Sequence, residues 1–457
     1  MAGRTFSLEP QAVPAVRSPY RVIQTPLPVP ESVPILKDLR RYEPQSMTGQ
    51  PPILWESAEG CIVRDRWGNQ WLDWSSGVLV TNAGHGRKEI VEAIVQQATS
   101  PLLHNYCFPN RPRADLVKYL VELAPEPLKK CFLLTTGAET TECAIKLAKT
   151  HGIQAGGKTK DTIVSFENAF HGRTMGSQLA GGIPALKSWI GGAHPDFVQL
   201  PYPGDWRLPA EKRTFEAFVK ALEAQGYGPA RIAGVISETY QGGNVAFLPQ
   251  EFAKKLRAWC DEHQIVLIFD EVQAGFGRCG TMFGFEHYGF APDLATFGKG
   301  LSSSLPISCV LGRPELMDLY PPGSMTSTHT GNPICAAAAL ANLKLIASER
   351  LTENAAARGR ELQAGLEAIR EKHARRLGPV EGKGLAWVMH CVKPGGTEPD
   401  PDFAFQVVDQ AIRRGLLLFA PVGLQGSVVK ICPALCVSSA QIADGLLALG
   451  EAYAAAD

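Results

Sequence analysis

Lys299 sits between Gly298 and Gly300, directly after the apolar run Leu294 to Phe297. Small neighbours let a flat ring approach the amine, and a lysine becomes a nucleophile toward a carbonyl once its surroundings lower its pKa. Taken alone, the same pattern also describes a surface lysine at a turn. A second run, Ile265 to Phe269, ends in two acids, Asp270 and Glu271. One acid at a strand end can simply cap the next turn. A carboxylate in Asp270's place can also pair with a protonated ring nitrogen and hold the proton there.

Two further stretches carry groups of the right type. Thr135-Thr136-Gly137-Ala138-Glu139-Thr140 follows an apolar run and opens a helix through Ile145 and Leu147. The N–H groups at such a helix start form an anion site, and glycine permits close backbone approach. An ordinary strand-to-helix turn reads the same way. Phe166-Glu167-Asn168-Ala169-Phe170-His171-Gly172-Arg173-Thr174 places an aromatic, a glycine and an arginine together. Phe170 can stack on a planar group and Arg173 can grip a carboxylate in a two-point fork, although core packing and a surface ion pair fit these residues singly.

From about residue 130, short apolar runs alternate with helical stretches, the pattern of an α/β domain with a largely parallel sheet. Seven strands are expected, at Cys131–Thr135, Thr162–Phe166, Phe197–Leu200, Ala233–Ser237, Ile265–Phe269, Leu294–Phe297 and Ile307–Leu311. Ligands gather beyond the carboxyl ends of such strands, which is where Gly137, Phe170, Asp270 and Lys299 fall. Seven prolines between Pro10 and Pro34 make the opening an extended arm on the surface or on a partner subunit. Ile62–Asp65 and Gln70–Asp73 read as a hairpin turning at Trp67-Gly68-Asn69. A small-residue helix at Ala336–Leu345 and a helix at Leu351–Lys372 lead to strands at Leu385–His390, Leu416–Phe419 and Val428–Ile431, a smaller α+β domain. The expected division is 1–75 for the arm and a small-domain segment, 76–341 for the large domain and 342–457 for the rest of the small one.

Lys+Arg and Asp+Glu are both 45, so no net field attracts nucleic acid or an anionic membrane, and a small molecule is the expected partner. No apolar stretch approaches the roughly 20 residues that span a bilayer. The 11 cysteines form no CxxC pair or metal-spaced cluster, so no metal is expected and reduced thiols in the cytoplasm fit. Glu9, Pro10 and Pro14 interrupt any signal-peptide core.

Taken together, the motifs resemble the class III aminotransferases, fold-type-I pyridoxal-phosphate enzymes that include 4-aminobutyrate, ornithine and acetylornithine aminotransferases. The resemblance runs from about Trp55 to Leu435. It rests on Asn82-Ala83-Gly84-His85, Thr136-Gly137-Ala138-Glu139, Phe170-His171-Gly172-Arg173-Thr174, Phe269-Asp270-Glu271-Val272-Gln273-Ala274-Gly275-Phe276-Gly277-Arg278, Pro292-Asp293, Gly298-Lys299 and Gly331-Asn332-Pro333. It implies a three-layer α/β/α large domain on a seven-stranded sheet with a small α+β domain from the chain ends, and pyridoxal 5'-phosphate as cofactor.

The resemblance also implies the site. Lys299 would be the Schiff-base lysine and proton shuttle, and Asp270 the pyridinium partner. Gln273 would lie near the ring hydroxyl, Phe170 on the ring with His171 beside it, and Gly137 and Ala138 at the phosphate. Glu238 would orient active-site groups. Thr328 would complete the phosphate site of a neighbouring subunit, which implies a homodimer with shared sites, or a tetramer of two such dimers. Val78, Arg173 and Lys430 would contact substrate, with Arg173 on the remote carboxylate of an ω-amino acid.

Two departures stand out. Where many members have a second glutamate after Glu238, this chain has Gly243, and where they have a C-terminal arginine that binds the 2-oxo acid, it has Lys430. The expected reaction moves an amino group from an ω-amino acid or other primary amine to a 2-oxo acid. A same-fold amine phospho-lyase or dialkylglycine decarboxylase, and a non-catalytic cofactor-binding regulator, are the alternatives.

Overall fold

A computed structural model describes residues 4–191 and 194–457 and divides the chain into two compact units. One comprises Lys88–Glu349; the other joins the chain up to Arg87 with Arg350–Asp457. The cuts fall after Arg87 and Glu349 rather than after residues 75 and 341. The reasons are local. Asp73 and Gly60 hold His85 through a 2.8 Å side-chain contact and a backbone bridge, and the helix Pro333–Ser348 runs unbroken past Leu345.

The larger unit is built on seven strands: β1 (Lys130–Leu134), β2 (Thr162–Phe166), β3 (Phe197–Leu200), β4 (Ile232–Glu238), β5 (Val266–Asp270), β6 (Leu294–Phe297) and β7 (Ser308–Gly312). Their order is β1-β7-β6-β5-β4-β2-β3, and β7 alone runs antiparallel to its neighbours β6 and β1. Strands covered on both faces read as continuous apolar runs, and every residue of β2, β4, β5, β6 and β7 is buried. Ala144, Ile145, Leu147 and Ala148 of the helix Gly137–Gly156 join Ile163, Ile236 and Ile268 in one core cluster. Register places Asp270 of β5 directly opposite Glu238 of β4 and Thr296 of β6. Two acids and the approach to Lys299 therefore share one end of the sheet.

In the smaller unit, Ile62–Arg64 and Gln70–Asp73 pair antiparallel, with Asp65 Oδ1 accepting from the amides of Trp67 and Asn69 at the turn and Gly68 at φ +87°. The proline-rich opening lies on its own unit: Ile23, Leu27 and Val29 pack with Val63, Trp71 and Leu417, and buried Arg21 forks onto Asp444 at 2.7 and 2.9 Å.

The expected C-terminal strands need correction. Leu416–Leu417 pairs parallel with Gln70–Asp73, not with the C-terminal sheet, which is Leu377–Lys383, Ala386–Cys391 and Val428–Ile431. Leu377–Lys383 was hidden by Gly378 and Pro379, residues disfavoured in strands; it is an edge strand with a register shift there, where proline is tolerated. Among the described residues no helix is long and apolar enough to cross a membrane.

Candidate active site

The carboxyl ends of β4, β5 and β6 and the start of the helix after β1 surround a cavity of about 160 Å3. Lys299 and Asp270 line it, as do Glu238, Gln273, Phe170, His171, Gly137 and Ala138. Lys299 is its one lysine and holds φ +43°, a left-handed conformation that costs energy in a non-glycine residue. Burial of the amine lowers its pKa, while the charges of Asp270 and Glu238 pull the other way.

Asp270 is fixed at both oxygens. Oδ2 lies 2.8 Å from His171 Nδ1, and Oδ1 accepts from the Val272 amide at 3.0 Å. Burial opposes protonation of His171, but the hydrogen bond and charge of Asp270, with help from Glu238, raise its pKa overall. Glu238 reaches the chain on either side of the site, accepting from the Phe170 amide at 3.1 Å and the Gly242 amide at 2.9 Å. Burial pushes its carboxyl up to about 7; the His171 charge lowers it and the Asp270 charge raises it.

At the helix start, Thr136 and Glu139 form a reciprocal cap that takes up the Glu139, Thr135 and Thr136 amides, and Thr140 bonds back to Thr136. This leaves the amides of Gly137 and Ala138 for a ligand, at the positive end of a 20-residue helix.

These groups fit pyridoxal phosphate. The buried His171 Nε2 has no partner among the described residues. A carboxylate, a buried amine and a pair of helix-start amides share the same cavity, and a Cβ at Gly242 would fall 2.6 Å from Glu238 Oε1.

The remaining expected residues lie outside the cavity lining. Arg173 is exposed, its guanidinium carbon 5.6 Å from the Phe170 ring centroid. Thr328 is exposed and does not line its own chain's cavity. Val78 and Lys430 belong to the smaller unit. Val78 is 41% exposed at φ +63°, while Lys430 is buried on the strand Val428–Ile431 opposite Val388.

Two lining residues went unassigned in the sequence, Gly172 and Val272. Gly172, at φ +131°, leaves room for Ala138, whose Cβ would be 2.7 Å from any Cβ placed there. The Val272 side chain closes to 3.1 Å from where a Gly137 Cβ would stand. Both stood inside quoted motifs, but neither bears chemistry that would single it out.

Residues 45–452 match the model of the family described as aminotransferase class-III. The chain belongs to the class-III aminotransferases. It is 34% identical over 409 residues to the 4-aminobutyrate aminotransferase GabT of Escherichia coli, covering 88% of this chain and 93% of that one. It is 33% identical over 426 residues to the 5-aminovalerate aminotransferase DavT of Pseudomonas aeruginosa, covering 92% and 97%. Among solved structures, a thermostable (S)-enantioselective omega-transaminase from Thermomicrobium roseum superposes with TM-score 0.81 at 31% identity, over 92% of this chain and 94% of that one. This class-III aminotransferase therefore uses pyridoxal phosphate on a fold-type-I scaffold.

The aminotransferase carries a second buried acid beside Asp270. Glu271 accepts from Thr239 Oγ1, from the Gly284 amide at 2.6 Å and from the Phe285 amide at 2.9 Å, and burial still pushes its carboxyl up to about 7. A carboxyl raised in the folded state stabilises the fold while protonated. Its contribution is fully present below the ordinary value of 4.5 and is lost as pH rises through about 7. Thermal unfolding of the apoprotein should show the advantage of wild type over Glu271→Gln at its largest near about pH 5 and shrinking toward about pH 8. A gap that widens with pH would contradict the raised value.

Proposed function

We propose that this chain takes the amino group of an ω-amino acid or another primary amine onto pyridoxal phosphate and passes it to a 2-oxo acid. The carrying observation is the convergence of Lys299, Asp270 and the Gly137–Ala138 amides on one cavity, in a chain about a third identical to aminotransferases named for 4-aminobutyrate and 5-aminovalerate. When bound, the cofactor supplies an acceptor for electron density at the carbon bearing the amine, and a place to store the nitrogen between half-reactions.

The protein's residues would do the rest. The Lys299 amine would hold the cofactor and then, displaced by the incoming amine, move a proton at the substrate carbon. Burial lowers its pKa and so favours the uncharged form that a base needs. Asp270, oriented by His171 and the Val272 amide, would keep a proton on the ring nitrogen. Phe170 would pack on the ring face, and Glu238 would hold the Phe170 and Gly242 segments in register. The direct test is an amine panel with one 2-oxo acid, following both the 2-oxo acid consumed and the amino acid formed. Release of inorganic phosphate from a phosphorylated amine would move the enzyme to the phospho-lyase reading.

Arg173 would grip the donor's remote carboxylate. Its guanidinium is exposed and no carboxylate of the described residues forms an ion pair with it. Arg173→Ala should raise KM for ω-amino acids at least tenfold, a loss on the order of 1.4 kcal/mol, while amines lacking a carboxylate change little. Equal losses for both substrate types would sink this role.

We further propose a cytoplasmic homodimer in which Thr328 completes the partner's phosphate site. Mixing an inactive Lys299 variant with an inactive Thr328 variant should then restore part of the activity, because one hybrid site receives both intact residues. Confirmed subunit exchange without recovery would count against shared sites.

A further inference from the structure

Cys61 and Cys436 lie 375 residues apart in sequence, yet their sulfurs are 3.8 Å apart. Cys61 is buried at the turn between the strands Ser57–Glu59 and Ile62–Arg64; Cys436 is only half-buried, two residues before the N-cap Ser438 of the last helix. Local structure makes room for the contact. Gly84 has φ +103°, and a Cβ there would lie 2.8 Å from Cys436 Sγ and 3.2 Å from Gly60 Cα.

The pair sits across a strained segment. Ser76, Gly77, Val78 and Leu79 have φ of 49°, 56°, 63° and 62°, a single left-handed turn that is costly for residues bearing a Cβ. The chain leading to Cys436 laces both ends of that segment. The Cys432 amide donates to Trp74 O at 2.8 Å, Ser76 Oγ to Cys432 O at 2.5 Å, and the Leu435 amide to Asn82 O at 2.8 Å. On the other side, Gly60 and His85 exchange backbone hydrogen bonds at 2.8 and 2.9 Å. A bond between Cys61 and Cys436 would close this frame around residues 74–85.

We propose that Cys61 and Cys436 are a thiol–disulfide modification site whose oxidation by a low-molecular-weight disulfide braces the turn that carries Val78. The Cys436 sulfur, the more accessible of the two, attacks the reagent RSSR as a thiolate, forming Cys436–S–S–R and expelling one RS⁻, which takes up a proton. Cys61 then loses its proton and attacks the Cys436 sulfur, expelling the second thiol. The balance is two cysteine thiols and RSSR giving one protein disulfide and two RSH. The hydrogen bond with Cys436, followed by burial, holds the Cys61 thiol well above its ordinary value, so Cys61 keeps its proton until the second step. Closing the bond needs the sulfurs to approach to about 2.05 Å, a short movement for two loop residues.

Another thiol pair lacks this freedom. Cys131 and Cys309 also touch, but Cys309 faces Leu133 and Cys131 faces Leu311 in the ladder between β1 and β7. Such diagonal neighbours stand roughly 7 Å apart at Cβ, beyond the roughly 4 Å a disulfide tolerates, and both are held by sheet hydrogen bonds. In a reducing cytosol a bridge at Cys61 and Cys436 would be transient, as regulatory disulfides there are.

The test treats the holoenzyme with oxidised glutathione and, in parallel, with dithiothreitol. The expected result is an intact mass lower by two hydrogens with no glutathione attached, and a peptide map joining Cys61 to Cys436. Cys131→Ser should behave as wild type, while Cys436→Ser and Cys61→Ala should form no bridge. Amide hydrogen exchange over residues 76–85 should slow several-fold on oxidation and recover with dithiothreitol. Glutathione retained on Cys436, a bridge between other cysteines, or a Cys61–Cys436 bridge with unchanged exchange would each overturn the proposal. The wild-type map decides even if one cysteine variant fails to fold.

Discussion

Lys299→Ala is expected to abolish transamination while the far-ultraviolet circular dichroism stays that of the wild type. Lys299 is the one lysine lining the cavity, and among the described residues its side chain makes no hydrogen bond that the substitution would remove. The side chain would serve twice, in holding the cofactor and in moving the proton at the substrate carbon. A positioned acid–base group alone contributes on the order of 10²–10⁴-fold. Losing the covalent attachment adds to that, so turnover should fall below detection rather than by a modest factor. A small exogenous amine, able to replace the proton carrier, should restore a trace of rate that rises with its concentration. Borohydride reduction followed by peptide mapping checks the assignment independently, since it fixes the cofactor on the lysine that holds it. A label on any other lysine would overturn the role given to Lys299.

The main parts of this site were legible in the sequence for a specific physical reason. In a mostly parallel sheet buried on both faces, each strand is a largely apolar run, so the first charged residue after the run marks the sheet's carboxyl edge. Asp270 after Val266–Phe269 and Lys299 after Leu294–Phe297 announce themselves in this way. Glu238 needed the family resemblance, because it follows the expected strand Ala233–Ser237 between two other polar residues, Ser237 and Thr239, so its position alone did not single it out. Glu271 was read only as a neighbour of Asp270. Its three donors come from Thr239, Gly284 and Phe285, which only the folded chain brings together.

The smaller unit was harder to read. Leu416–Leu417 looks like any short strand, and nothing local tells that its partner is Gln70–Asp73, over 300 residues earlier. Leu377–Lys383 carries Gly378, Pro379 and Gly382, which argue against a strand until the edge position and register shift are seen. The contact of Cys61 with Cys436 is invisible for the same reason, since both belong to turns whose approach depends on long-range pairing.

Asp270→Asn keeps the shape of the side chain and removes its charge, and turnover should fall by about 10³-fold or more, equivalent to about 4 kcal/mol of barrier. The reasoning begins with the residues around it. Asp270 Oδ2 and His171 Nδ1 are 2.8 Å apart, both buried, and His171 is drawn toward protonation by Asp270 against the effect of its own burial. With asparagine in place that pull disappears, only the Glu238 charge is left to oppose burial, and the pKa of the imidazole should fall. Glu238 would lose the repulsion of the Asp270 charge and, as His171 gives up its proton, the larger opposing pull of the His171 charge, so the titration of its carboxyl, now near 7, should shift as well. The pH profile should therefore change shape as well as height. The ring nitrogen, facing an amide instead of a carboxylate, would no longer be held protonated, and electron density leaving the substrate carbon would find a poorer acceptor. Binding through the Gly137 and Ala138 amides and through Lys299 does not depend on this charge, so the variant should still take up the cofactor and turn yellow. That combination, a loaded enzyme with turnover lower by orders of magnitude, separates loss of the charge from loss of the site. A loaded Asp270→Asn variant with near-normal turnover would remove the role assigned to this carboxylate.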